Sequence, residues 1–326
     1  MKLFRITLLL FCVVLLSACI AESFRYCPMD RNIVLKFEYV YNGHDVFDTQ
    51  VQNVDLFVFN SNNLLVHSTT INAAQLNAFA GTTLTLAPGE YRIVAWGNAM
   101  PERTAFGSVN TGDHFNDAYI GRVGVPRSVV ARDRIPFVQG NGDRLHFAPG
   151  LAQQEFILTV QSDDLTATLP FARSYIGIEV FVVGFSDYTG EAAAPIIEID
   201  GAASHFRFDR VPEGDITLRE TTVIQTQYVQ RPATAMFRTK LFDNNANFTK
   251  ELRVHSGQGA NVVHFTLETA LLRAKIAEFM ADNNINSFKA DATPQRVIPI
   301  TIVFGRDVEV SVTVPVFERV DGNPIF

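Results

Sequence analysis

The chain has 326 residues, 47% of them apolar and 19% charged, with a formal net charge of −7. That length accommodates two domains of ordinary size, and a mildly acidic chain with scattered Lys and Arg excludes a nucleic-acid-binding stripe.

The first nineteen residues stand apart from the rest. Lys2 and Arg5 precede an apolar run, Ile6 to Leu16, which is short of the roughly 20 residues a membrane-spanning helix needs. That is the shape of a secretory signal. It ends in Leu16-Ser17-Ala18-Cys19, small residues directly before a cysteine, which is similar to a bacterial lipobox. The expectation is cleavage between Ala18 and Cys19 and acylation of Cys19, the alternative being an ordinary signal peptide that contains a cysteine. With Cys12 removed and Cys19 carrying lipid, Cys27 remains alone, so the processed chain has no pair for a disulfide. Ile20-Ala21-Glu22 follows the cysteine and is compatible with the outer membrane. Residues 1–18 are therefore assigned to the signal and 19–30 to a lipidated tether.

From Asn32 the pattern becomes β, with Arg31 preceding the first strand. In Ile33 to Tyr41 the odd positions are all apolar while Lys36 and Glu38 face the other way, a period of two that predicts a half-buried strand. Asn42-Gly43 is a turn signal. Val51 to Phe59 becomes apolar on both faces and predicts a central strand, followed by Leu64 to Thr69. Asn72 to Ala80 predicts a short helix with Asn72 as N-cap and Gly81 as stop. Thr82 to Ala87 and Glu90 to Asn98 read as strands separated by Pro88-Gly89, and the sole tryptophan, Trp96, lies on the second of them, where burial is expected. Residues 99–132 are rich in Gly, Asn and Asp and read as an excursion with short helical pieces. Ile135 to Val138 and Gln154 to Val160 complete a first β unit, 31–163, and the polar stretch Gln161 to Asp164 marks the boundary.

The second unit, 164–326, repeats the grammar. Strands are expected over Thr166 to Phe171, Tyr175 to Phe185, and Ile196 to Ile199 with His205 to Phe208 across a hairpin turn at Asp200-Gly201. Others follow over Ile216 to Val229, Ala235 to Phe242, Glu251 to His255 and Asn261 to Leu267. A helix is predicted over Thr269 to Ala281 from Leu272, Ile276 and Phe279 at helical spacing. Val297 to Phe304 and Val308 to Phe317 close the chain. Many short strands between turn signals define an all-β protein of two sandwiches, with about seven strands each.

Motifs for catalysis and metal binding are missing. Seven histidines lack metal-ligand spacing, and Gly-x-Ser-x-Gly, the P-loop and the dinucleotide fingerprint do not occur. Asp243 to Asn247 and Asp282 to Asn286 imitate the start of a calcium loop, but neither has the central glycine or the closing glutamate. Asp163-Asp164 are adjacent carboxylates that point to different sides, which is no acid/base pair. No enzyme activity, metal or cofactor is expected beyond the lipid on Cys19.

The lipobox, Val54-Asp55-Leu56-Phe57-Val58-Phe59 and the segment Leu86-Ala87-Pro88-Gly89-Glu90-Tyr91-Arg92-Ile93-Val94-Ala95-Trp96-Gly97-Asn98 together resemble the FimB-like family of fimbrial anchor lipoproteins of Bacteroidia. The resemblance implies two transthyretin-like sandwiches and a place at the base of a strand-exchange pilus, held to the outer membrane by lipid and bound to a fimbrillin shaft subunit. Strand exchange supplies a missing strand's hydrogen bonds and fills its apolar pockets. The segment best suited to donation is Val308 to Val316, where Val308, Val310, Val312, Val314 and Val316 share one face; a last strand folded back in cis has the same pattern. In shaft relatives an Arg-specific protease removes the first strand and releases the lipid. Residues 32–91 here contain no arginine, so the first strand and the lipid are expected to stay, with the chain possessing anchor rather than shaft behaviour. A surface glycan-binding lipoprotein is the rival reading, with Tyr119, Tyr188, Tyr228 or Trp96 as stacking faces, and a tip adhesin is a third.

Overall fold

The structure is a computed structural model, and it describes residues 30–41, 43–125, 127, 137–139, 142–150, 155–161, 163–190, 193–226, 230–240, 251–256, 262–268 and 297–311, with scattered helical positions between 270 and 281. Cys19, Cys27, Tyr228, Val312, Val314 and Val316 lie outside the described residues, as do both calcium-like segments.

In chain order the first half carries β1 (Arg31–Glu38), β2 (Val40–Tyr41), β3 (His44–Asp45), α1 (Phe47–Gln50), β4 (Val54–Asn60), β5 (Leu65–Ile71), α2 (Ala73–Ala78), β6 (Gly81–Leu86) and β7 (Gly89–Gly97). Next come β8 (Thr104–Gly107), β9 (Tyr119–Arg122), β10 (Phe137–Gln139), β11 (His146–Ala148), β12 (Ile157–Val160), β13 (Leu165–Pro170) and β14 (Ala172–Arg173). The second half carries β15 (Tyr175–Val183), α3 (Phe185–Thr189), β16 (Ile196–Arg207), β17 (Pro212–Thr221), β18 (Val223–Ile224), β19 (Ala233–Lys240), β20 (Glu251–His255), β21 (Val263–Glu268), β22 (Ile298–Phe304) and β23 (Val308–Ser311). The described positions 270, 271, 274, 277, 278 and 281 are helical, while Leu272, Ile276 and Phe279 fall outside the described residues.

The protein is all-β and built of sandwiches. In the first, a three-stranded sheet ordered β13-β1-β6 packs on a six-stranded sheet ordered β14-β11-β7-β4-β5, with β12 also on β7. Ile33, Leu35 and Phe37 of β1 meet Val54, Leu56 and Val58 of β4 and Ile93 and Ala95 of β7 in one apolar core. The period of two in β1 has its physical cause here: each inward side chain fills the gap between two sheets, and the outward ones stay wet. Arg31 is the first residue of β1, paired with Leu86, rather than a residue preceding the strand.

Short-range signals are realised closely. β2 and β3 form a hairpin about Gly43, which adopts φ +78, a left-handed conformation that glycine takes without steric cost. Asn72 accepts from the Gln75 backbone while the Gln75 side chain accepts from Asn72 N–H, a reciprocal capping box that starts α2. The helix stops at Ala78 rather than at Gly81; Gly81 is needed because a Cβ there would sit 2.3 Å from the Leu35 carbonyl oxygen. Pro88 lies where the chain crosses from the sheet of β6 to the sheet of β7.

Four expectations are corrected by the pairing. The strand expected over Thr166 to Phe171 as the start of the second unit is β13, and it runs parallel to β1 in the first sandwich, with Phe37 opposite Leu169. Leu169 and Phe171 fill the first core, and their apolar faces fix them there. Residues 99–122 form β8 and β9 rather than helical pieces, and β9 pairs with β16 of the second half. β10, expected in the first unit, runs parallel to β17. Asp200-Gly201 is not a hairpin turn: it lies inside β16, where the register against β17 shifts between Ile199 and Ala202, and the bulge absorbs the pair.

The second sandwich stacks a seven-stranded sheet, β10-β17-β16-β20-β21 with β8 and β9 attached, on a five-stranded sheet ordered β18-β19-β15-β22-β23. Ile178, Val180, Ile197, Ile199, Leu218, Phe237, Val254 and Ile300 make its core. A third cluster joins the halves. Phe57, Phe59 and Trp96, on the outer face of the β4–β7 sheet, pack against Phe115 and Ile120 of the excursion and against Phe206 and Phe208 at the end of β16. The sheet of β4 is therefore buried on both faces, which explains the run Leu56-Phe57-Val58-Phe59.

Candidate functional site

Three regions were marked by the sequence: the tethered N-terminus, the C-terminal valine strand and the aromatics of the rival reading. The tether enters the fold through β1. This strand is central in its sheet, flanked by β13 and β6, and Ile33 and Leu35 are fully buried. Asn32 N–H donates to Asp164 Oδ1 at 3.0 Å, and Asp45 Oδ1 accepts from Tyr39 N–H and Phe47 N–H, each at 3.0 Å, closing the chain directly after the strand. The next arginine in sequence, Arg92, is in the middle of β7 rather than a loop, held by Glu155 at 2.9 Å and stacked 4.2 Å from the Phe115 ring centroid.

At the other end, β23 pairs antiparallel with β22, with Val310 opposite Ile302 and Val308 opposite Phe304. Val308 and Val310 pack, half-buried, on the second core while Glu309 faces solvent. This part of the valine strand is folded in cis and forms the edge of its sheet among the described residues.

The aromatics divide differently. Trp96 is fully buried, 4.8 Å from Phe147 and 6.5 Å from Phe208 between centroids, and offers no stacking face. Tyr119 packs edge-on against His205 at 5.2 Å and under Arg127 at 4.8 Å, and Arg127 in turn grips Glu213 at 2.7 and 3.1 Å. Tyr188 is half exposed but leans on Phe304 at 5.2 Å.

Two juxtapositions were not singled out from the sequence: a Ser-His contact between neighbouring residues, and a charge ladder whose partners converge only through strand pairing. Ser204 Oγ is 2.7 Å from His205 Nδ1, as a nucleophile and base would be, yet Ser204 donates to the Glu213 carbonyl at 3.0 Å and both residues are sealed from solvent. Gly121 makes this possible, since a Cβ there would strike the His205 ring at 2.0 Å. The second is a charge ladder on the outer face of β16, β17 and β20. Glu198 pairs with Arg219 and with His255 Nε2 at 2.7 Å, and Arg253 pairs with Asp200 at 2.7 Å. Burial pushes the Glu198 carboxyl up, but hydrogen bonds and charge from His255 and Arg219 outweigh it and hold Glu198 below its ordinary value. These groups bind one another and fix strand register. Among the described residues no group of three or more His, Cys, Asp or Glu side chains is placed to hold a metal, and no helix is long and apolar enough to cross a membrane.

Among the described residues the chain is a pair of all-β sandwiches, with the marked side chains on strands and at a sheet edge. The family model for fimbrillin-A associated anchor proteins Mfa1 and Mfa2 matches residues 25–320, and the chain belongs to that family. The fold is similar to that of the fimbrial anchor protein Mfa2 from Porphyromonas gingivalis, at 12% identity, covering 87% of this chain and 98% of that one with a TM-score of 0.61. It is similar also to a candidate polysaccharide-binding protein of Bacteroides thetaiotaomicron VPI-5482, at 18% identity over 84% of this chain and 91% of that one with a TM-score of 0.62. A candidate adhesin of Bacteroides ovatus matches at 12% identity over 87% and 93% with a TM-score of 0.62. No curated protein sequence matches the chain.

Proposed function

We propose that this fimbrial anchor is a permanently tethered base subunit: acylated on Cys19 after cleavage behind Ala18, held on the outer membrane, and bound to the basal fimbrillin of the shaft. The observation that carries the reading is β1. A shaft subunit of this kind sheds its first strand; here that strand is the centre of a three-stranded sheet, and residues 32–91 offer no arginine for an Arg-specific cut. Lipid on Cys19 stays with this strand as long as the 19–30 tether, which contains Arg25, is not cut.

Contact with the shaft is assigned to the C-terminal edge. β23 closes its sheet with one side toward β22, and an edge strand of this kind accepts a further strand or continues into a neighbour. Because Val308 and Val310 are engaged in cis, donation in trans falls to the part of the valine strand that follows Ser311, which contains Val312, Val314 and Val316. A subunit that gives this contact but keeps its own first strand ends the chain of exchange, which would also limit fimbrial length.

Metabolic labelling with an alkyne palmitate tests the first half: wild-type protein takes up label, and Cys19→Ala does not. Equal labelling of the variant would place the lipid elsewhere. For the second half, a chain truncated after Ser311 should keep its fold and its lipid but fail to crosslink to fimbrillin. Undiminished crosslinking would remove the C-terminal segment from the interface, and retention on a polysaccharide matrix in its place would favour the glycan reading.

A further inference from the structure

At the end of the second sandwich where β15 leads into α3 and Val182 pairs with Ala233, an open pocket of about 580 Å³ lies between α3 and the turn joining β18 to β19. Small-molecule sites occupy roughly 300–1,000 Å³. The pocket has an apolar floor, in which Val182, Phe185, Pro195 and Ala233 are buried and Ile224 is half-buried. Its rim is polar and exposed, formed by Ser186, Asp187, Thr226, Gln230 and Arg231. The walls are pinned by the fold itself. Thr222 donates to the Pro195 carbonyl from its N–H at 3.1 Å and from its hydroxyl at 2.7 Å, and Gln225 N–H donates to the Pro232 carbonyl at 2.9 Å, closing the turn. Phe185 packs edge-on against His264 and Phe304, each at 5.3 Å between centroids. Gly184, at φ +73, lets the chain enter α3 this close to β22, since a Cβ there would sit 2.3 Å from the Phe304 carbonyl oxygen.

Arg231 is the backbone outlier of this pocket. It holds φ +41, a left-handed conformation that is costly for a residue with a Cβ, and the ring of Pro232 restricts it further. Strain of this kind persists where the surroundings over-determine it, and it concentrates at ligand sites. Here the strained residue carries a guanidinium on the rim. The rim as a whole offers one carboxylate, one guanidinium, one carboxamide and two hydroxyls, so donors and acceptors alternate with no net charge. Among the described residues, none of these five side chains is in a hydrogen bond or an ion pair.

We propose that this pocket binds a neutral saccharide. A sugar ring carries hydroxyls that both donate and accept around a belt of C–H groups, which fits a mixed, uncharged rim over an apolar floor. A charged ligand would bring its own sign against either Asp187 or Arg231. An extended peptide would need a row of backbone partners, and the adjoining edge strand β18 is only two residues long. Neither Tyr119, Tyr188 nor Trp96 lines the pocket, so the site is distinct from the stacking faces of the rival reading. β18 and β23 are opposite edges of one sheet, so the assignment neither rests on a fimbrillin contact at the C-terminal edge nor competes with it.

A glycan array of neutral and acidic saccharides, probed with the purified chain and followed by isothermal titration with the strongest neutral ligand, tests it. Saturable one-to-one binding of at least one neutral saccharide is expected, weakened tenfold or more in Asp187→Ala and in Arg231→Gly. Both positions are exposed, and glycine takes φ +41 without strain, so both variants should fold and should crosslink to fimbrillin as the wild type does. No saccharide bound by the wild type, binding confined to acidic saccharides, or neutral binding unchanged in the two folded variants overturns the proposal.

Discussion

Replacing Leu35 by alanine tests whether β1 is an integral strand or a detachable one. Leu35 is fully buried, opposite Thr82 of β6 on one side and Ala167 of β13 on the other. Removing its isobutyl group loses transfer energy and leaves a cavity between two sheets that are pinned by other side chains, so the cost belongs in the range of about 2–5 kcal/mol. Ile33, Phe37 and Tyr39 are buried with it. At about 1.5–3 kcal/mol per side chain, the four together are worth about 6–12 kcal/mol, comparable to the entire stability of an ordinary domain. A first strand of that weight cannot be shed without unfolding the first sandwich unless another strand replaces it. Urea denaturation of Leu35→Ala beside Lys36→Ala, whose side chain is exposed on the same strand, provides the assay. Leu35→Ala should lose several-fold more stability than Lys36→Ala, which should stay within about 0.5 kcal/mol of wild type. A loss below 1 kcal/mol for Leu35→Ala would show that β1 is only loosely held, and the retention argument would fail with it.

Other expectations concern the rest of the fold. His146 is almost fully buried, edge-on to Tyr39 at 5.1 Å, and burial pushes it from 6.5 down to about 4, so the unfolded chain binds its proton more readily. Stability from this group is complete above pH 6.5 and is lost as pH falls toward 4, by about 3 kcal/mol; thermal melts should show that slope shrinking in His146→Gln. Glu198, held below its ordinary 4.5, contributes stability present above pH 4.5 and lost as pH falls further, so melts of Glu198→Gln should show a shallower acid limb than wild type below that pH. Phe208→Ala should cost about 3–5 kcal/mol and open the cluster joining the halves; emission from Trp96, the sole tryptophan, should shift to the red as water reaches it, and an unshifted spectrum would place the cluster elsewhere.

What was legible in the sequence was local. The alternation in β1, the two-faced apolar run in β4, the Asn72 cap and the hairpin about Gly43 each depend on neighbours within a few residues, and each is found in the structure. Long-range pairing was not legible. Leu165–Pro170 carries the same alternation whichever sheet it joins, and its parallel partner β1 lies some 130 residues upstream. The excursion lacks periodicity because β8 and β9 are only four residues each, and the cover they give to Phe57 and Trp96 comes as much from turns as from strands. Asp200-Gly201 misled because the pair is a turn signal by composition, while the pairing of β16 on both sides leaves room only for a bulge. Among the marked site residues, Val308 and Val310 were placed on one face correctly, but only the structure gives them a cis partner.

The most direct test of the central claim is where fimbriae go when Cys19 is replaced. In cells producing Cys19→Ala from the native locus, immunoblots of medium and outer-membrane fractions should show most fimbrillin shed into the medium, with the anchor itself absent from the membrane. Fimbriae retained on the cell at wild-type levels, with the unlipidated chain still in the membrane fraction, would contradict the permanent tether.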